Sequence, residues 1–321
     1  MCGRVLQSAT LSPFLPGRVQ TGVNMTRTVT LSGTLLLMTL SVATAQTRGP
    51  KVFVSVDMEG IWGVVHGNQT SSASPEYGPA RKWMVDDVNA VVAGLLEAGA
   101  GEIVVNDSHG SMRNIQADQL NPRAALLSGS PKPLSMMQGI DATYDAAVFV
   151  GYHARAGTAA AILDHTISSG TIRAIRINGQ ELPEMGINAA IAGYYKVPVI
   201  MLSGDTEACA QARSIFGDTI VAAAVKEATG RYAARMLPQD EARALLKTSA
   251  RDALARRAAA KPFQLSPPFT FDVEFLNAGQ AEMPMMLPGL TRTSPRSVSF
   301  AANDFIEGFK LLRAIIALAA S

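Results

Sequence analysis

Cysteine is almost missing from this 321-residue chain, which has only Cys2 and Cys209. No disulfide framework can be built from them, and Cys209 has no histidine nearby in sequence to activate it, so a buried thiol is the expected role rather than a nucleophile. Long apolar runs are missing too. The most apolar stretch near the N-terminus, around Leu35-Leu36-Leu37-Met38, is short and interrupted by Thr, Ser and Gly, which argues against a membrane span. Charge of one sign is also lacking, with 28 basic against 26 acidic residues. That balance excludes an electrostatic grip on nucleic acid or on a membrane surface. Neither an internal repeat nor a low-complexity tract is present.

What the N-terminus does contain is an address. From Met25 the chain reads MTRTVTLSGTLLLMTLSVATAQ: a basic residue, a short apolar stretch and an Ala43-Thr44-Ala45 end, the pattern of a cleavable secretory signal. An uncleaved anchor is the alternative. Cleavage near Gln46 is expected, giving an exported, periplasmic or secreted protein with no stable membrane insertion. Residues 1–45 carry Arg4, Arg18 and Arg27 and no acid, so without them 25 basic residues face 26 acidic ones, a net charge of −1.

In the rest, short β-branched apolar runs alternate with helical patterns. VFVSV (52–56), EIVVN (102–106), AAVFVGY (146–152), VPVIML (197–202) and TIVAAA (219–224) read as strands covered on both faces. A helix over 75–98 is expected, with Ser74-Pro75-Glu76 at its start, an apolar face from Met84 to Leu96, and Gly99 as its stop. Others begin near Pro183, carrying Ile187, Ala190, Ile191 and Tyr194, and after Asp205. The alternation predicts an α/β fold with a mostly parallel central sheet flanked by helices. After Pro238 come a charged helix (239–259), a proline-rich break, FTFDVEFL, SVSFAA and a final helix, expected as a smaller C-terminal α+β unit. The expected division is 1–45 leader, 49–235 metal-binding α/β hydrolase domain and 236–321 smaller domain.

Polar residues capable of holding metal follow three of these strands: Asp57 and Glu59 after VFVSV, His109 after IVVNDS, and His153 after VFVGY. In an open parallel sheet the carboxyl ends of the strands face one crevice, and buried charged groups there are costly unless paired or ligated. Asp57-x-Glu59 would present both carboxylates on one side if the strand continued that far. Mixed His/Asp/Glu sets suit Zn²⁺, and two metals can clamp a hydrolytic transition state. The residues alone leave a second reading open, in which Asp57 caps a turn and both histidines are hydrogen-bonded loop residues.

SVDMEG (55–60), VVNDSHG (104–110), GYHARAG (151–157), EMGINAAIAGYY (184–195) and VPVIMLSGD (197–205), with PKPLSMMQGID (131–141) and FLNAGQAEMPMMLPG (275–289), resemble the zinc-dependent D-aminopeptidase family, the DppA type also labelled dipeptide transport protein. The likeness runs through nearly the whole mature chain, in the family's order. It implies two Zn²⁺ per subunit held by Asp57, Glu59, His109, His153 and Glu184, with Asp57 bridging. It also implies a functional histidine, nucleophile or base, at His165. Here the chain departs from the family: its loop between the two histidines looks one residue longer, and Asp164 stands where a small hydroxyl residue is usual. Asp164 is therefore a candidate to orient His165. The resemblance further implies metal-activated removal of the N-terminal residue from short peptide substrates of D-amino acids, in a ring-like homo-oligomer such as a decamer. The alternatives are a same-fold amidase or L-peptide aminopeptidase, and a non-catalytic dipeptide-binding protein.

Other residues divide between a site role and a structural one. His66 reads as a solvated loop residue. Asn106 and Asp107 could orient His109 or shape its turn, and Asp205 could line the crevice or cap a helix. Arg155 could bind a carboxylate, with an ion pair as the default. Met283-Pro284-Met285-Met286 reads as packing.

Overall fold

The computed structural model describes Gly22 and residues 48–321, so the expected leader and the expected cleavage near Gln46 lie outside the described residues. Each apolar run is a strand: β1 (Lys51–Val56), β2 (Glu102–Asp107), β3 (Ala124–Leu127) and β4 (Ala146–Val150) come first. β5 (Ile172–Ile177), β6 (Gln180–Glu181), β7 (Val199–Asp205), β8 (Val221–Gly230) and β9 (Ala233–Met236) follow, then β10 (Phe269–Phe275), β11 (Thr291–Ser294) and β12 (Ser297–Ala302). The helices are α1 (Gly67–Thr70), α2 (Tyr77–Glu97), α3 (Glu184–Tyr194), α4 (Thr206–Phe216), α5 (Gln239–Ala255) and α6 (Phe305–Ala319). No helix among the described residues is long and apolar enough to cross a membrane.

The main sheet has the order β3-β2-β1-β4-β7-β8-β9 and is parallel except for β9, which folds back on β8. A smaller antiparallel sheet has the order β11-β12-β10-β5-β6. Its strands β5 and β6 come from mid-chain, while α5 packs on the main sheet against α2 and β8. Residues 236–321 therefore contribute to both layers.

Alternation along β1 explains the layering. Val52, Val54 and Val56 join Met84, Val88, Val91 and Leu95 of α2 and Leu246 and Ala250 of α5 in one core. Phe53 points the other way, with Ala147 and Phe149, into a core shared with Ile187 and Ile191 of α3, Phe271 and Val273 of the small sheet, and Leu312 and Ile316 of α6. The α2 row is fully buried, and each such side chain contributes about 1.5–3 kcal/mol. Two details differ from expectation. Pro75 lies in the turn before α2, which starts at Tyr77 with Glu76 as its cap residue. Tyr194 is 46% exposed rather than packed, and its hydroxyl donates to Asp304. Cys209 is buried, which pushes its thiol up to about 12.

Two glycines bring the functional edge together. A Cβ on Gly60 would lie 2.1 Å from the Tyr152 carbonyl oxygen, and one on Gly204 would lie 2.2 Å from the same oxygen. The loops after β1 and β4 and the end of β7 thus meet at backbone contact. Gly60→Ala is expected to lower stability by about 1–3 kcal/mol through overpacking, read as a lower urea midpoint with an unchanged m-value.

Candidate metal centre

Parallel register sets where the site residues emerge. Val56 is level with Asp107 of β2 and with Val150 of β4, so the chain leaves three adjacent strands at one height. Asp57 N–H then donates to the Val150 carbonyl at 2.8 Å, Ser108 N–H to Val56 at 2.9 Å, and Gly60 N–H to Gly151 at 2.8 Å. β1 ends at Val56, so strand alternation does not align Asp57 and Glu59. A tight turn through Met58 brings their carboxylates together instead.

Asp57, Glu59, His109, His153, His165 and Glu184 converge in two groups, Asp57-Glu59-His109 and His153-His165-Glu184. Asp57 stands between them with one oxygen toward each: Oδ1 is 3.2 Å from His109 Nδ1, and Oδ2 is 3.3 Å from His153 Nε2. Glu59 Oε2 is 3.1 Å from His109 Nδ1, and Glu184 Oε1 is 3.6 Å from His153 Nε2. The ring of His165 stacks on that of His153, with centroids 3.9 Å apart.

Backbone carbonyls orient all three imidazoles. His109 Nε2 lies 3.0 Å from the Thr70 carbonyl, His153 Nδ1 2.9 Å from that of Ala154, and His165 Nδ1 2.8 Å from that of Leu163. A carbonyl only accepts, so each of these nitrogens carries a proton and donates, as the outer nitrogen of a metal-bound imidazole does. In the neutral rings, His109 Nδ1, His153 Nε2 and His165 Nε2 keep their lone pairs.

The arrangement fits a cation. Asp57 Oδ2, Glu59 Oε2 and His153 Nε2 are buried with no hydrogen-bond partner, a costly condition for polar atoms. Charge-assisted N–H···O bonds run about 2.7–2.9 Å, shorter than the 3.1–3.6 Å found here. Tetrahedral ligands about 2.0–2.1 Å from zinc are roughly 3.3 Å from one another, which is the spacing observed. Without a cation the charges distort one another. Burial, reinforced by Glu59, raises the pKa of Asp57. Burial acts to depress His109 and His153, yet the surrounding carboxylates outweigh it and raise both well above the usual histidine value. Burial and the neighbouring His153 lower His165, so its imidazole is neutral at pH 7.

His165 sits in a loop tied down at several points. Glu184 accepts from Ile167 N–H at 2.7 Å, and Asp205 accepts from Ile162 N–H at 2.7 Å while capping α4 through Ala208 N–H at 2.8 Å. Asp205 is thus both a cap and a loop anchor. Asp164 does not orient the imidazole: its carboxylate pairs with Arg231 and accepts from Gly157 N–H. Asp107 accepts from the N–H groups of Asn114 and Ile115 and shapes the turn after His109. Asn106 bonds to the Met136 carbonyl and Lys132, and neither residue touches the His109 ring. Arg155 is paired with Glu181, and His66 caps α1. Of the methionine cluster, Met283 is 45% and Met286 75% exposed, so these two do not pack.

Sequence reasoning missed Lys226, which is fully buried in β8. Its Nζ donates to the carbonyls of Glu59, Ile61 and Val64 at 2.7, 2.8 and 2.5 Å, clamping the loop that carries two candidate ligands. The available signal was a lysine directly after the apolar run VAAAV of β8. Also missed was a polar floor, in which Asn188 donates to the Tyr152 hydroxyl at 3.1 Å and that hydroxyl is 2.7 Å from Ser55 Oγ. Asn188 lies one helical turn after Glu184, so their spacing was readable.

The sequence model of the peptidase M55 family, described as D-aminopeptidase, matches residues 51–314. A D-aminopeptidase of Bacillus subtilis (strain 168) is 37% identical over 272 residues, covering 84% of this chain and 97% of the relative. A solved structure described as the Zn-dependent D-aminopeptidase DppA from Bacillus subtilis, a self-compartmentalizing protease, superposes with a TM-score of 0.82 at 35% identity. That match covers 84% of this chain and 98% of the other.

Lys226→Met leaves three carbonyls without their donor, each worth roughly 1–3 kcal/mol when buried. A loss of several kcal/mol in urea unfolding is expected, with weaker zinc binding in a competition titration against a chromogenic chelator.

Proposed function

This chain belongs to the D-aminopeptidase family of peptidases, and from that premise we propose that it is a dinuclear zinc aminopeptidase releasing the N-terminal residue of short D-amino-acid peptides. The observation that carries the reading is the set of partnerless buried acceptors, Asp57 Oδ2, Glu59 Oε2 and His153 Nε2, grouped beside a neutral His165. Asp57, Glu59 and His109 would hold one zinc ion and His153 and Glu184 the other, Asp57 having one oxygen toward each group. Zinc bound there would supply Lewis-acid polarisation of the scissile carbonyl and a lowered pKa for water.

The chain's own groups do the rest. The Leu163 carbonyl fixes the His165 tautomer, leaving Nε2 free to take a proton from the attacking group or to attack the carbonyl itself. The site lines a cavity of ≈ 320 Å³ with Met112, Met136 and Phe309 among its walls, near the lower end of the roughly 300–1,000 Å³ usual for small-ligand sites. That size favours short peptides over folded chains. The N-terminal leader supports export, to the periplasm or beyond. The self-compartmentalizing relative supports a homo-oligomer that restricts access to the site.

Two measurements test this together. Mature protein is expected to contain near two zinc per chain by mass spectrometry of metals, and to release D-Ala from D-Ala-D-Ala until a chelator is added. Protein that holds no zinc even after reconstitution defeats the proposal. His165→Ala is expected to keep its zinc and lose about 10²–10⁴ in kcat, the usual span for a positioned acid–base group.

A further inference from the structure

One cation in the catalytic cavity has nothing to neutralise. Arg313, on α6, is the only Lys or Arg among the lining residues, which include Asp57, Glu59, Glu184 and His165. Its guanidinium makes no hydrogen bond or ion pair among the described residues, and the charge that acts on it is that of Glu184. Glu184 is already engaged by Ile167 N–H and His153. The neighbouring cations are satisfied. Lys132 donates to Asn106, Asp107 and Leu127 at 2.7, 2.7 and 3.1 Å, and Lys310 pairs with Glu307 at 2.7 Å. Lys132, Lys310 and Arg313 also line an adjoining groove that shares Gly110 and Met112 with the cavity.

Arg313 is half-buried on α6, one turn after buried Phe309 and three residues after Lys310, beside buried Leu312. A guanidinium is a planar fork of donors that matches a carboxylate with two parallel hydrogen bonds. The cavity therefore combines a cluster of carboxylates and imidazoles with one unspent fork among its lining residues. A short peptide has the complementary polarity, an amine at one end and a carboxylate at the other.

We propose that Arg313 binds the free C-terminal carboxylate of the peptide and so selects substrates whose carboxylate lies within a residue or two of the scissile bond. This rests on the aminopeptidase reading above and adds to it a substrate class, small peptides with an unblocked C-terminus. Longer or amidated peptides lose the contact.

The test compares zinc-loaded wild type, Arg313→Met and Arg313→Lys on D-Ala-D-Ala and on D-alaninamide, which has no carboxylate. A charge-assisted pair of this kind predicts a 10- to 100-fold fall in the dipeptide-to-amide ratio of kcat/KM for Arg313→Met, carried mainly by KM. The lysine variant, which keeps the charge and loses the fork, falls between. Calorimetric binding of the same two compounds is measured in parallel. A parallel loss on both compounds, or none on the dipeptide, overturns the assignment. If wild type hydrolyses neither compound, the peptidase reading fails, and the binding data still decide: selective weakening toward D-Ala-D-Ala keeps the Arg313 anchor, and equal binding removes it.

Discussion

Three buried carboxylates at one sheet edge impose a charge that the surrounding fold does not balance. Asp57, Glu59 and Glu184 lie within a few ångströms of three imidazoles whose outward nitrogens already donate to backbone carbonyls. When the rings are neutral, what remains facing inward is a shell of acceptors, and acceptors repel one another unless a cation stands between them. The geometry around the centre follows from holding that shell open. Parallel pairing delivers the ligands at one height, and glycines at 60 and 204 let the loops meet at backbone contact. Lys226 ties down the loop after β1, since its Nζ donates to the carbonyls of Glu59, Ile61 and Val64 together.

The layers around the edge divide the work. α2 and α5 close one face of the main sheet and keep β1 rigid. The other face carries α3, whose first residue is Glu184, and the small sheet with α6. The second layer is therefore part of the site: it supplies one candidate ligand from the start of a helix and the cavity wall from another.

Much of this was legible because buried parallel strands write themselves as apolar runs, and polar residues just past their ends stand out. β1, β2, β4, β7 and β8 were found that way, and Asp57, His109 and His153 followed from them. The turn that aligns Asp57 with Glu59 was not legible, because period-two reasoning applies only while the strand lasts. His165 came only through family resemblance, since its loop has no periodicity, and the role suggested for Asp164 failed because its partner Arg231 is remote in sequence. The small sheet was half visible. FTFDVEFL alternates as a strand should, but IRAIRI does not; it pairs with β10 far downstream, and pairing at that distance leaves no local trace.

The imidazoles here are steered by main-chain oxygens of Thr70, Ala154 and Leu163 rather than by neighbouring side chains. A carbonyl survives any substitution of the residue that bears it. The shell behind the histidines can therefore drift freely in evolution while the rings keep their orientation, provided the backbone path is kept. Chains that have diverged widely can retain the same centre, and in them it will be found by its ligands and by the glycines that shape the path, with little else in the neighbourhood to mark it.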